Sequence, residues 1–153
     1  MDRIARNIGR GVVAGFVGTV AMTVSSTLEA KLRDRGGSSA PGDAARTVLG
    51  IEKFNSDAAE QRFSQLVHWG YGTGWGVARG LLRALGLGRG AASVTHFALV
   101  YGGEQVMLPA LDVTPPATQW GATEIAIDAW HHLVYVGATA AAFEWLTRRG
   151  EAG

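Results

Sequence analysis

The stretch EIAIDAWHHLVY, residues 124–135, holds two carboxylates and two adjacent imidazoles in an otherwise apolar segment. Wound as a helix, it gathers Glu124, Asp128, His131, His132 and Tyr135 into an arc of roughly 100°. Ile125, Ile127, Trp130, Leu133 and Val134 take the rest of the circumference. Groups of the same kind recur in two other apolar segments. LVHWGYGTGWGVARGLLRAL (66–85) carries His68 and Arg79, and AASVTHFALVYGGEQVMLPAL (91–111) carries His96 and Glu104. Histidine with carboxylate is the ligand set of zinc, iron or manganese, and equally that of a proton relay. No His-Glu-x-x-His places two ligands on one helix face, so either chemistry requires convergence from separate helices.

The elements that must position these groups follow from the composition. A chain of 153 residues suits a single domain, 1–153. The absence of cysteine excludes disulfides, thiolate metal sites and thiol catalysis. Net charge is +1, from 14 basic and 13 acidic residues, which gives no electrostatic footing for nucleic acid. Charge is segregated: Gly11–Leu28 runs for 18 residues without any, between Arg3, Arg6 and Arg10 before it and Lys31, Arg33 and Arg35 after it. That length is at the threshold for crossing a bilayer. A signal peptide has a similar profile, but no small-x-small cleavage motif precedes TLEAKL, so the segment reads as a retained span.

With three companion segments, the expectation is an all-α, four-helix transmembrane bundle with spans at approximately 11–30, 64–85, 91–111 and 122–147. GLGRG turns the chain between the second and third spans, and DVTPPATQWG stops the third. In the long connection, 33–62, RDRGGSSAPG reads as a loop and DAARTVLGIEKF as a short helix lying at the membrane interface. Asn55 or Ser56 then caps a helix with Asp57 and Glu60 in its first turn, so the second helix starts ahead of its span.

Glycines recur at helical spacing: Gly11, Ala14, Gly15 and Gly18 on the first span, and Gly72, Gly76 and Gly80 on the second, with Gly70 and Gly74 as a further pair. In water each would cost about 1 kcal/mol relative to Ala inside a helix. In a bilayer such faces let helices approach closely, within the chain, in a homo-oligomer or against another membrane protein. Arg3, Arg6, Arg10, Arg83, Arg89, Arg148 and Arg149 gather on one side, which places both termini in the cytoplasm. Trp120 and Trp145 bracket the last span as interface anchors, Trp130 reads as lipid-facing, and Glu144 has Arg148 at i+4 as its expected partner.

A rise of about 1.5 Å per residue puts Glu124 and His68 within roughly 6 Å of the non-cytoplasmic end, Asp128 and Glu104 near 10 Å, and His132 near 15 Å. His68, Glu104, Asp128 and His132 are therefore the candidate ligands of a divalent metal. Arg79, His96, Glu124, His131 and Tyr135 form the wider polar cluster. If the stripe is structural instead, Asp128 pairs with His132, Glu104 with His68, Arg79 is held by carbonyls, and the Tyr135 hydroxyl bonds a neighbour.

LPALDVTPP (108–116), followed by Glu124, Asp128 and His132-Leu133-Val134-Tyr135, resembles the YagU-like family of small bacterial inner-membrane proteins. A histidine in each of the two preceding spans, His68 and His96, is similar to that family as well. The resemblance covers mainly residues 64–149; AGFVGTVAM in the first span fits it less specifically. It implies a multi-span inner-membrane protein linked to acid tolerance, with no established activity. It also favours His132 over His131, which stands where the family has a small residue.

Three functions fit these residues. The first is proton or divalent-metal handling tied to acid or stress tolerance. The second is a structural or accessory subunit of a membrane complex, and the third a soluble helical metal-binding protein. No nucleophile elbow or phosphate loop supports an enzyme.

Overall fold

The computed structural model describes residues 3–151. It contains four long helices and one short one: α1 (Arg3–Leu32), α2 (Ala40–Leu49), α3 (Asp57–Ala84), α4 (Arg89–Ala110) and α5 (Ala122–Glu151), with a 3-10 turn at Ala117–Gln119. No strand occurs among the described residues, as the absence of alternating patterning predicts.

Local chemistry sets the boundaries. Ser56, in extended backbone, caps α3 by accepting from the Ala59 N–H at 3.2 Å. Gly50, at φ 64°, ends α2 in the left-handed region, and its N–H reaches back to the last turn. This helix therefore runs from Ala40 to Leu49, earlier than the expected 43–54. Pro109 sits in the last turn of α4, and Asp112, at φ 55°, reverses the chain. Trp120 closes that connection by donating its indole N–H to the Pro115 carbonyl at 2.8 Å.

α1 packs most extensively against α3 and next against α5, while α4 lies against α5 and α3 and α2 rests on α3. The α1–α3 seam is built from the predicted glycines. A Cβ at Gly11 or Gly76 would run into the other helix's backbone, and one at Gly15 would lie 2.5 Å from the Thr73 carbonyl oxygen. This glycine face is thus consumed inside the chain. Gly70 and Gly74, the second pair, touch nothing and remain on the outside of α3.

Many large apolar side chains lie on the outside, while several charged and polar ones are buried beside a core that includes Val100, Tyr135 and Val136. Val12, Val13, Phe16, Val17, Val20, Val24 and Leu28 of α1 face outward, as do Leu66, Leu81, Val94, Val106, Leu133, Trp130 and Trp145 elsewhere. Arg79 and His96 are 0% exposed, and His131, His132 and Glu144 are buried with them. By length and composition, α1 alone among the described helices is apolar enough to cross a membrane. α3, α4 and α5 are long enough, but charged, polar and glycine residues dilute their apolar content, Asp128, His131 and His132 foremost in α5. The expectation of four apolar spans is met on composition by α1 only.

Candidate functional site

Convergence occurs where α4 meets α5. Glu104, Asp128 and His132 each bring one ligand atom to a point where all three lie within 4.8 Å of one another. Asp128 and His132 share a face of α5 because they are four residues apart. Glu104 reaches them from α4, with its Oε2 at 2.5 Å from His132 Nε2. His132 Nδ1 lies 2.9 Å from the Asp128 backbone carbonyl and 3.5 Å from its Oδ1. A carbonyl only accepts, so Nδ1 carries a proton; an ionised carboxylate also only accepts, so the 2.5 Å contact between Nε2 and Glu104 holds a second proton when no metal is bound. Gln105 donates to Asp128 Oδ2 at 3.1 Å and holds the second carboxylate in place. Tyr101 closes one side, its ring 5.3 Å from the imidazole.

Two carboxylates beside one imidazole form a cluster short of positive charge. It is balanced either by a second proton on His132 or by a cation among the three donors. An imidazole whose other nitrogen is fixed by a backbone carbonyl is the usual arrangement of a metal-binding histidine. The cluster forms part of the wall of a cavity of about 910 Å³ between the long helices, closed on one side by α2.

The remaining predicted groups have other partners. His68 lines the same cavity but bonds Thr23 Oγ1 at 2.8 Å, so the predicted Glu104–His68 pair does not form and His68 lies outside the three-ligand group. Its offset has a simple cause: α3 is pinned to α1 by the glycine seam, which turns His68 toward α1 rather than α4. His131, one residue from His132, points 100° away to Ser25 Oγ at 2.9 Å and Glu29 at 3.7 Å. Glu124 is at the surface, bonded to Arg33 at 2.6 Å, and this bond holds the Arg33 guanidinium above its ordinary pKa. The Tyr135 hydroxyl donates to the Gly72 carbonyl at 2.6 Å, a hydrogen bond to a neighbour as expected. His96 is fully buried and donates from Nε2 to the Trp75 carbonyl at 3.0 Å.

Arg79 anchors a second cluster toward the other end. It donates to Ser93 Oγ at 2.9 Å, its Nη2 is 3.4 Å from Glu144, and its guanidinium lies 5.7 Å from the Phe143 ring centre. Arg83 and Arg89 reach the same carboxylate at 3.3 and 2.8 Å. Carbonyls therefore do not hold Arg79, and Glu144 turns inward to three arginines instead of pairing with Arg148. The signal for this was Glu144 itself, a lone acid in VGATAAAFEWL. Glu29, Thr23, Ser25 and Gln105 were also missed. Short hydroxyl and amide side chains at these positions look no different from ordinary packing until their imidazole or carboxylate partner is known.

Comparison of the chain with protein-family models, with curated proteins and with solved structures gives no match.

Proposed function

We propose that the protein is a four-span bundle of the bacterial inner membrane, of the YagU-like type, that holds a divalent cation on Glu104, Asp128 and His132. The observation that carries this reading is the three-donor cluster in a cavity wall, two carboxylates and one imidazole whose ligand atoms lie within 4.8 Å of one another. The mixed nitrogen and oxygen donors suit zinc, manganese or iron. Because each ligand must be deprotonated to bind the ion, acid displaces it, which couples metal occupancy to pH and to acid tolerance.

The membrane half of the proposal is supported by the apolar side chains on the outside. Outward valines and leucines surround buried Arg79, His96, His132 and Glu144, the arrangement a hydrocarbon solvent favours. α2 exposes Val48 and Leu49, as suits a helix lying at the interface. The absence of cysteine makes the topology directly testable. In intact cells, a membrane-impermeant maleimide should label Gly37→Cys and Thr118→Cys, and should reach Gly88→Cys only after permeabilisation. Equal labelling of all three in protein recovered without detergent would establish a soluble protein. For the site, zinc titrated calorimetrically into chelator-stripped protein should bind in the wild type and fail to bind in Asp128→Asn.

A further inference from the structure

Protein interiors rarely contain voids much larger than a water molecule, and an apolar cavity does not hold water well. The cavity of about 910 Å³ is a half-open cleft walled by residues of all five helices, far larger than a packing gap. Its volume lies at the upper end of the range for small-molecule sites, about 300–1,000 Å³. Its polar groups are not spread evenly. The Glu104, Asp128 and His132 cluster occupies one wall, and Arg33 and Arg35 are at the rim beside Glu124. Much of the remaining wall is aliphatic, with Ala44 and Ala45 of α2, Met107 and Leu108 of α4, and Leu111 just beyond it. Such a space fits a molecule with a long apolar body and one polar end.

The polar end is identified by the donors. Three protein ligands would leave a coordination position open on a zinc-like ion, and all three residues line the cavity. Two carboxylates and a neutral imidazole neutralise a divalent charge, so the fourth ligand needs only an oxygen donor. An anionic carboxylate or phosphate oxygen is a stronger ligand for such an ion than a hydroxyl or ester oxygen, which favours an anionic head. We infer that the cavity binds a single-chain anionic amphiphile, a fatty-acid-type or lysophosphatidate-type molecule, with its head oxygen on the ion and its hydrocarbon chain between α2 and α4. This inference rests on the metal reading above.

Native mass spectrometry of detergent-solubilised protein counts zinc and lipid on the same ion and so tests both layers. Oleate should add to the zinc-loaded wild type in preference to monooleoylglycerol, which has the same tail and an uncharged head. Ala45→Trp and Leu111→Trp, which fill the cavity from opposite walls and touch no ligand, should keep zinc and lose oleate about tenfold. His132→Ala should lose both. Competition with lysophosphatidate then separates the two sources: stronger binding by it assigns a phosphate head, weaker binding a carboxylate. If zinc binds but oleate does not, or if the two tryptophan variants bind oleate undiminished, the amphiphile assignment is wrong and the metal site stands. If oleate binds equally well to protein that takes up no zinc, the metal reading fails and the head-group assignment fails with it.

Discussion

The two buried charge clusters are opposites. Near the α2 side, two carboxylates meet one imidazole on the wall of a large cavity. Toward the other end, three arginines surround one carboxylate in packed surroundings, with Phe143 1% exposed beside them. The arginine cluster sets three guanidiniums, the outermost on the largely exposed Arg89, against one carboxylate, and Arg79, Arg83, Arg89 and Glu144 come from α3, α4 and α5. It therefore ties those three helices together. The acidic cluster has three ligand atoms on the wall of the cavity, where only the His132 imidazole can carry a positive charge. On the proposed reading the acidic cluster is the site and the arginine cluster the scaffold.

The comparison can be broken most forcefully at Glu144. Glu144→Gln leaves Arg79 buried without its charge partner, a loss of about 3–5 kcal/mol in typical buried pairs. A large drop in the thermal unfolding midpoint in detergent is expected, and the double change Arg79→Met with Glu144→Met should recover much of it. A variant as stable as wild type would remove the scaffold assignment. Gly76→Leu comes next. Its Cβ alone meets the α1 backbone, and overpacking of this kind costs about 1–3 kcal/mol or more. Gly74→Leu, where nothing lies within 4 Å, should leave the midpoint unchanged.

His132→Ala should behave in the reverse way. Metal affinity should fall by about 10–100-fold or more, as when a ligand or its support is removed, while the midpoint of the metal-free protein hardly moves. A midpoint drop as large as that of Glu144→Gln would make the acidic cluster structural too. The smallest effect belongs to Arg33→Ala. Its pairs with Glu29 and Glu124 are at the surface, so unfolding in moderate salt should be indistinguishable from wild type.

The elements were largely legible in the sequence. Ser56 and Gly50 are local signals that act within a turn, and the Gly11–Gly15 and Gly76–Gly80 spacings met each other as helical faces should. Asp128 and His132 were legible as a pair because one helix fixes their separation, and depth along neighbouring helices brought in Glu104 correctly. Depth carries no information about rotation. His68 matches Glu104 in depth but faces α1, and Glu144 lies off the α5 stripe yet turns inward toward Arg79. What the sequence lacked was the azimuth of each helix, which is set by the α1–α3 glycine contact. The cavity was not legible at all, since it arises from where α2 comes to rest.

The most direct test is elemental analysis of detergent-purified wild-type protein beside His132→Ala, both prepared without added metal or chelator. A stoichiometric divalent ion in the wild type, and its loss in a His132→Ala protein that unfolds at the same temperature once both are stripped, is the predicted result. Wild-type protein free of zinc, manganese and iron that also fails to take up any of them on titration would contradict it.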